Sequence, residues 1–423
     1  MLLSDTAHLV DRDARPPTSS ARAVALVLSP AGIGAITLLV LFARGLAPFI
    51  HPQYMSDEPA AFAAAALADP VGSVLAPWSG FLHVVARLAH LSVAPLPLAI
   101  SPAVTVLELY IVIAIVAAFL SSSRLEAVIP DRRVRIAAAL LVAVLPGTRI
   151  AIASVLNVHW YTALLLAALA VSTDPPRWRW FDRVAVALAS LSGPAAIVLA
   201  PVYWARAREN GHRLVLALIV TTGAVVQGLV YLASDRTSSI RADAPAILVE
   251  RIGLSVLGDG LGALVPPSVL GFVGVAIAVA IVTLVRGVTP RVLATFGLLG
   301  LALAVAAVMT QSDFSTPSAG TRYFIPLAFV VSLVVLAGLR NRRVAAFVLS
   351  AVLLTGVVRD YRIPTYPDAR WPDAAACLEQ GARCRVEVFT AKWSFTWPGR
   401  RDYRRPEVPA DVIDHDCCVN DTP

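Results

Sequence analysis

The chain of 423 residues is 57% hydrophobic and only 15% charged, with a mean hydropathy of +0.73. A soluble core of this length cannot cover that much apolar surface, so a water-soluble globular protein is excluded. The net charge of +7 comes almost entirely from arginine, since Lys392 is the only lysine. Apolar runs of about 20 residues, long enough to cross a hydrocarbon core as helices, recur from Ala23 to Val358, and no β-barrel alternation competes with them.

The predicted elements begin with a cytoplasmic segment over residues 1–22, followed by a membrane domain over 23–358 in which 44–101 forms the first outer loop. Arginines cluster in short loops between apolar runs, which places those loops in the cytoplasm. We therefore predict an all-α polytopic bundle of about nine full spans, with the N-terminus inside and the C-terminus outside. The first run lacks a clear cleavage site and indicates a retained anchor. The predicted spans lie near 23–43, 102–122, 136–149, 151–172, 214–232, 266–285, 292–310, 323–339 and 344–358.

The first outer loop contains the acidic pair Asp57-Glu58 in QYMSDEP. Carboxylates at a membrane edge are expensive to keep there, so they usually have a function. The alternative is a cap of the helix PAAFAAAALA, since acidic residues favour a helix N-terminus and proline favours its first turn. In GFLHVVARLAHL, the side chains of His83, Arg87 and His90 fall on one stripe, which predicts a helix in the interface plane.

Further polar and aromatic residues lie at the predicted outer ends of later spans. With His83 and Arg87, they are the candidate substrate-binding residues: Arg149, Asn157, His159, Trp160, Tyr161, Asp313, Arg322 and Tyr323. They come from separate stretches of chain, and their convergence on one membrane surface predicts a site. The alternatives are snorkelling of Arg87, interfacial anchoring by Arg322 and Tyr323, and simple burial of His159 and Trp160.

One segment, 184–204, lies between two cytoplasmic loops and must begin and end inside. Gly193-Pro194 divides it into two apolar halves of about ten residues, each too short to span comfortably. We therefore predict a short hairpin or two tilted, broken helices.

The tail, 359–423, holds all four cysteines of the chain, which fits an oxidising compartment outside the membrane. Four cysteines allow three pairings, and a direct bond between Cys417 and Cys418 needs a strained ring. We favour a local Cys377–Cys384 disulfide and leave the vicinal pair open. A zinc site is the weaker interpretation, because the spacing matches no common zinc pattern.

Taken in chain order, the acidic pair is followed by PWSGFLHVVARL, VLNVHWYTALL, LSGPAAIVLAP and GTRYFIPL. This order resembles bacterial membrane glycosyltransferases of the GT-C superfamily, and within it the membrane proteins grouped near the phage-type O-antigen glucosyltransferases. The resemblance implies a carboxylate in the first outer loop that serves as catalytic base or binds the acceptor. It also implies a sugar donor carried on polyprenyl phosphate, delivered from within the bilayer to the outer face.

Such a reaction needs a base for the acceptor hydroxyl and cations for the leaving phosphate. Asp57 or Glu58 is the expected base, and the forked guanidinium groups of Arg87 and Arg322 are expected to hold the phosphate. The aromatic side chains expected to stack on the sugar or the prenyl chain are Trp160, Tyr161 and Tyr323. No glycine-rich nucleotide loop is found, and a membrane-borne donor needs none.

The sequence thus predicts an integral-membrane glycosyltransferase of the cytoplasmic (inner) membrane, acting on an envelope glycan or glycolipid. The expected partners are membrane lipid, the polyprenyl-phosphate sugar and the acceptor; no nucleic acid and no required cofactor are expected, and a divalent metal stays open. The alternatives are a lipid or solute transporter (a flippase), a non-catalytic lipid-binding protein and an assembly protein. Broken helices are typical of transporters, but the break at Gly193-Pro194 carries no charged residue.

Overall fold

The chain is almost entirely helical in the parts described by a computed structural model, with one two-stranded hairpin in the tail. Within these described parts, three helices are long and apolar enough to cross a membrane, namely Ser101–Ser121, Gly211–Leu232 and Pro290–Val308. The apolar composition and these helices identify an α-helical membrane protein. The structure describes residues 24–234, 243–262, 264–284, 289–310, 321–338, 343–363, 369–380, 384–388 and 393–397.

The main helices are numbered here in chain order, and short helical turns connect several of them. The helices are α1 (Pro30–Arg44), α2 (Pro59–Ala68), α3 (Val84–Val93), α4 (Ser101–Ser121), α5 (Arg132–Leu141), α6 (Val158–Val171), α7 (Arg179–Ser190), α8 (Ala195–Arg206), α9 (Gly211–Leu232), α10 (Ala244–Gly262), α11 (Pro267–Leu284), α12 (Leu298–Thr310), α13 (Ile325–Gly338), α14 (Arg343–Arg359) and α15 (Trp371–Glu379). The turns are Ala47–Ile50, Pro70–Val74, Ser123–Leu125, Ala151–Ala153, Val155–Asn157, Pro176–Trp178 and Thr321–Phe324. The helical segments Pro290–Val292 and Leu293–Gly297 run directly into α12 and belong to the long helix Pro290–Val308. Strands β1 (Cys384–Val388) and β2 (Trp393–Trp397) pair antiparallel.

Helix α6 lies at the centre of the described bundle. Every residue from Trp160 to Val171 is buried, and α4, α7, α8 and α13 pack around the helix. Its sequence, VHWYTALLLAALAV, is apolar on all sides, so the helix needs an apolar partner on each face. Because α6 is central, its N-terminal and C-terminal ends mark the two ends of the described bundle.

Three of the predicted spans, 102–122, 214–232 and 292–310, coincide with the three long helices. The span predicted over 136–149 is wrong as a continuous helix, because α5 ends at Leu141 and the chain then turns, with Gly147 at a φ of 75°. A helix that was not predicted, α10, follows Asp243. Its charged residues Glu250 and Arg251 mask the apolar signal on which the span predictions depend.

The segment predicted to be broken does form two helices, α7 and α8, separated by residues 191–194. Gly193 has a φ of 135°, a conformation that favours glycine. A Cβ built at Gly193 lies 3.5 Å from the His159 side chain, so the break packs against the N-terminal end of α6.

The N-terminal end of α7 and the C-terminal end of α8 lie at the opposite, C-terminal end of α6. Arg124 links Asp182, near the start of α7, to the carbonyl of Thr173 just beyond α6. Arg206, at the end of α8, donates a 2.9 Å hydrogen bond to the carbonyl of Ser172. The α7–α8 segment therefore begins and ends near the C-terminal end of α6, and its break at residues 191–194 lies near the N-terminal end of α6.

The tail packs on the first outer loop through α15. The predicted disulfide between Cys377 and Cys384 joins this helix to β1. The Trp371 side chain is only 1% exposed; its indole donates a 2.7 Å hydrogen bond to the carbonyl of Leu98, and its ring meets Tyr54 edge-on at 4.8 Å. The tail thus covers the loop that holds the acidic pair, while Cys417 and Cys418 lie outside the described residues.

Candidate active site

The Glu58 carboxylate, in the loop 44–101, points into the protein interior and is only 2% exposed. One oxygen accepts a 2.7 Å hydrogen bond from the Ser154 hydroxyl and a 3.4 Å bond from the Met55 N–H. The other oxygen lies 3.4 Å from Nε2 of His90, which is also buried. Glu58 does not cap α2 with its side chain. Its contacts instead join the loop, α3 and the turn before α6.

The neighbouring carboxylate, Asp57, has different surroundings. It lies close enough to Arg322 and to Trp78 for both side chains to act on its titration. Burial raises the pKa of Asp57, and the Arg322 charge and Trp78 offset this rise only in part. A carboxylate with a raised pKa is a stronger base near neutral pH, which suits it to accept a proton from a hydroxyl.

Trp78 begins a tight turn in the same loop as Asp57. The backbone N–H of Trp78 donates to the carbonyl of Phe81 at 2.9 Å, and the reverse bond measures 3.1 Å. Ser79 and Gly80 between them have φ values of 53° and 81°, the pattern of a type I′ turn. Ser56, directly before the acidic pair, has a φ of 47°. Left-handed backbone at non-glycine residues costs on the order of 1–3 kcal/mol and clusters at functional sites.

Two side chains fix this turn. Gln227, on α9, accepts from the backbone N–H of Leu82 at 2.9 Å and donates to the carbonyl of the same residue at 3.2 Å. Nε2 of His83 lies 3.2 Å from the carbonyl of Trp78, which can only accept, so this nitrogen is the donor. The turn is therefore tied to a long helix and to the start of α3.

The helix break lies beside the same segment. The N–H of Val84 donates to the carbonyl of Leu191 at 3.2 Å, and the N–H of Val85 donates to the Ser192 hydroxyl at 3.0 Å. The first N–H groups of α3 have no partner within their own helix, and residues 191–192 supply an acceptor for two of them. The break between α7 and α8 is thus part of the wall behind the turn.

Five of the predicted site residues form one continuous array. The rings of His83 and His159 have centroids 5.1 Å apart, those of His159 and Trp160 are 4.3 Å apart, and those of Trp160 and Tyr323 are 5.6 Å apart. Nη2 of Arg322 donates a 3.3 Å hydrogen bond to the Tyr323 hydroxyl. The array ends at the cation that acts on Asp57, so it adjoins the candidate base.

Arg87 lies under α2, and the Phe62 ring that it covers also packs against His83. Its guanidinium donates to the carbonyl of Ala61 and sits 3.9 Å from the centre of the Phe62 ring. The side chain is buried, as are His83 and His90 on the same stripe of α3. The predicted stripe exists, but it faces the protein interior rather than the membrane surface, and Arg87 does not snorkel.

Tyr161 also lies apart from Trp160, its neighbour in sequence. Its ring is buried on the side of α6 that faces Arg44 and Tyr110. Arg44 itself donates to the carbonyls of Ala143, Asp360 and Tyr361, which makes this region a packed polar core.

Asn157, Arg149 and Asp313 are the three remaining candidates. Asn157 is buried where α6 begins, and Arg149 is half-buried in the turn that precedes Ala151–Ala153. Asp313 lies outside the described residues.

A second charged cluster lies at the C-terminal end of α6. Arg124 donates to both oxygens of Asp182 at 2.7 and 2.8 Å, Nε2 of His212 lies 3.3 Å from Asp182, and Arg213 pairs with Asp174. One donor atom from each of Asp174, Asp182 and His212 lies within 4.8 Å of the others, a spacing compatible with a metal ion. Guanidinium groups already neutralise both carboxylates, so the cluster fits an ion-pair network rather than a cation site.

Sequence reasoning missed three residues of the site: Trp78, Ser154 and Gln227. A signal was available for two of them. The Ser-Gly pair after Trp78 is typical of a tight turn, and Gln227 is a polar residue inside an apolar run, where polar groups usually have a partner. Ser154 carries no such signal, because its importance depends on the position of Glu58.

These features define an α-helical membrane protein with a carboxylate and a guanidinium beside an array of aromatic and imidazole rings at one end of its bundle. No family model, curated protein or solved structure matches the chain.

Proposed function

We propose that the protein is an integral-membrane glycosyltransferase of the GT-C type, which moves a sugar from a polyprenyl-phosphate donor to an envelope glycan or glycolipid. The observation that carries the proposal is the placement of Asp57 near Arg322. The two residues are about 265 positions apart in sequence, yet they supply the base and the cation that such a transfer needs in one place.

In the proposed reaction, the acceptor hydroxyl oxygen forms a bond to the anomeric carbon of the donor sugar. The bond from that carbon to the phosphate oxygen breaks, and polyprenyl phosphate leaves with the electron pair. Asp57 takes the hydroxyl proton, and Arg322 stabilises the negative charge on the leaving phosphate. Direct in-line displacement inverts the configuration at the anomeric carbon.

The array from His83 to Tyr323 is proposed to contact the donor. Trp160 has little free ring surface, because His159 and Tyr323 pack against it. The ring of Tyr323 is half-buried and its hydroxyl is bonded to Arg322, so Tyr323 is the better candidate to meet a sugar or prenyl group beside the phosphate.

The proposal places this site at the outer face of the cytoplasmic membrane, in a chain of about nine spans. Two observations support the orientation. The arginine-rich ends of α7 and α8 lie together at the C-terminal end of α6, as cytoplasmic loops should. The disulfide-linked tail lies at the opposite end, beside Tyr54 and the acidic pair, as an oxidising compartment requires.

The test is sugar transfer by the purified protein in lipid nanodiscs, from a panel of radiolabelled polyprenyl-phosphate sugars to envelope glycolipids. Asp57→Asn and Arg322→Ala should each reduce transfer at least about 100-fold. The exposed residues Glu126 and Arg208 offer matched controls, so Glu126→Gln and Arg208→Ala should retain it. Melting curves confirm that each variant is folded. Full transfer by Asp57→Asn, or no transfer by the wild type from any donor, overturns the proposal.

One observation favours a second candidate, a lipid transporter. The break at residues 191–194 lies against the candidate site, and discontinuous helices line the substrate sites of many transporters. A fluorescent polyprenyl lipid that the wild type moves across reconstituted vesicles, without consuming any donor, identifies this function instead. Retention of lipid movement in Asp57→Asn separates it further from the transferase.

A further inference from the structure

We propose that the start of α7, residues 177–183, is a binding surface for the anionic headgroups of phospholipids. The sequence of this surface is RWRWFDR, in which arginine and tryptophan alternate before the apolar part of the helix begins. The orientation proposed above places the surface in the cytoplasmic leaflet, but the binding itself does not depend on sugar transfer. The inference therefore goes beyond the proposed function.

The three arginines of this surface are exposed and carry charge without a partner. Arg177, Arg179 and Arg183 all lie at the protein surface, and among the described residues no carboxylate pairs with any of them. Arg179 and Arg183 are four residues apart, so they lie on one side of α7 with about 5–6 Å between their Cβ atoms. Each guanidinium presents a planar fork of N–H donors that matches the oxygens of a phosphate.

The carboxylates at this end of the bundle do not neutralise the three arginines. Asp182 belongs to the same surface segment, but its side chain is fully buried and accepts two hydrogen bonds from Arg124. Two further carboxylates pair with other guanidinium groups, Asp174 with Arg213 and Glu209 with Arg206. The surface therefore keeps a positive potential that attracts an anion.

The tryptophans of this surface favour a lipid over a soluble anion. The side chains of Trp178 and Trp180 are 43% and 75% exposed, and the Trp178 ring meets Phe181 edge-on at 5.8 Å. Indole rings favour the headgroup level of a bilayer, because they combine an apolar body with one N–H donor. After Arg183 the chain has no charged residue until Arg206, so the basic turn leads directly into an apolar segment.

The apolar exterior of the bundle begins beside this surface. Nε2 of His212 lies 3.3 Å from Asp182, which holds the start of α9 against the start of α7. From there α9 exposes Leu214, Leu218 and Val225. Charge at headgroup depth is thus followed by side chains suited to hydrocarbon. A phospholipid can place its phosphate at the arginines and its acyl chains along this exterior.

The experiment measures by native mass spectrometry which lipids stay bound to the purified full-length protein. Delipidated protein in detergent is mixed with equal amounts of phosphatidylglycerol, which is anionic, and phosphatidylcholine of the same acyl chains, which is zwitterionic. The wild type should retain phosphatidylglycerol preferentially. In the double variant Arg179→Gln with Arg183→Gln, this preference should fall about ten- to thirtyfold, because each basic residue near a membrane surface contributes about a factor of five.

A charge-matched control is the double variant Arg359→Gln with Arg362→Gln. Both arginines are exposed, and they flank two residues whose carbonyls bind Arg44 at the start of the first outer loop, at the opposite end of the bundle. This control should retain the wild-type preference. Arg179→Lys with Arg183→Lys keeps both charges and should retain most of it.

An unchanged preference in folded Arg179→Gln with Arg183→Gln overturns the inference. An equal loss in the charge-matched control also overturns it, because net charge alone then sets lipid retention. If the first double variant does not fold, the single variants Arg177→Gln and Arg183→Gln decide. Each should lower the preference about three- to fivefold, and wild-type values for both contradict the proposal.

A soluble competitor separates a lipid from a free anion. Glycerophosphoglycerol, the headgroup without acyl chains, should not displace bound phosphatidylglycerol at equal concentration. Displacement assigns the surface to soluble anions and overturns the lipid as its ligand. Lipid retention needs no sugar transfer, so an inactive protein with the expected preference leaves this inference standing and overturns only the proposed function.

Discussion

The hydroxyl of Ser154 donates a 2.7 Å hydrogen bond to the carboxylate of Glu58, across 96 residues of sequence. The bond ties the first outer loop to the turn that precedes the central helix α6. Its neighbour Asp57 lies within reach of the Arg322 charge. In the proposed function, Glu58 therefore holds the site in place and Asp57 acts as the base.

Glu58→Gln is expected to reduce stability rather than remove a catalytic group. A glutamine keeps one acceptor oxygen but loses the charge, and a buried charge-assisted hydrogen bond contributes about 1.5–3 kcal/mol. Chemical denaturation of Glu58→Gln, Ser154→Ala and the double variant should give a coupling energy of about 0.5–3 kcal/mol. A Glu58→Gln protein with wild-type stability and no transfer contradicts this assignment.

Transfer should depend on pH through Asp57. The base works only when ionised, and burial raises its pKa, so activity should fall as pH decreases through a midpoint above the ordinary carboxyl range. Arg322→Lys retains a cation and enough activity to measure, whereas loss of the cation in Arg322→Ala should move the midpoint to higher pH. The measurement is kcat/KM against pH for both variants. A midpoint in the ordinary acidic range for the wild type shows that another group is titrating.

Gly193→Ala should destabilise the break between α7 and α8. The new methyl group meets His159 at an ordinary contact distance of 3.5 Å, so the cost comes from the φ of 135°, which alanine rarely adopts. A loss of about 1–3 kcal/mol is expected, seen as a lower melting temperature. Gly228→Ala is the control, because Gly228 lies inside α9 with nothing within 4 Å of its Cβ position. That substitution should raise stability by about 0.5–1 kcal/mol.

The Cys377–Cys384 disulfide should hold the tail on the first outer loop. The bridge closes a loop across a sequence separation of 7, for which the chain-entropy model gives about 2–3 kcal/mol. Cys377→Ser should therefore expose the segment around Trp371 to limited proteolysis. A double variant, Cys417→Ser with Cys418→Ser, removes the other two cysteines and leaves this bridge intact. If the Cys377→Ser protein and the double variant are cleaved equally, the disulfide does not hold the tail on the loop.

Local sequence features were enough to predict the long helices, the broken segment and the disulfide. Helices α4 and α9 are predominantly apolar, Gly193-Pro194 breaks the helical pattern, and the cysteine pair is close in sequence. Each of these predictions depends on interactions within about 20 residues.

The missed features depend on contacts between distant segments. Arg251 makes α10 look too polar for the membrane, but the structure buries this side chain 5.8 Å from the ring of Phe324. The choice between Asp57 and Glu58 depends on the turn at Ser56 and on which partners come from α3, α6 and the segment before α13. No local pattern records those partners, so the sequence predicts the pair but not the roles of its members.

The first outer loop is completed late in the synthesis of the chain. The N–H of Ile363 donates to the carbonyl of Arg44, the N–H of Ala369 donates to Gln53, and Trp371 binds Leu98. A ribosome makes the loop some 300 residues before these partners, at about 5–20 residues per second. Tyr54 and its neighbours then wait at least about fifteen seconds for these partners. The cover over this loop, unlike the Ser154–Glu58 contact, can therefore form only once the chain has been made as far as Trp371.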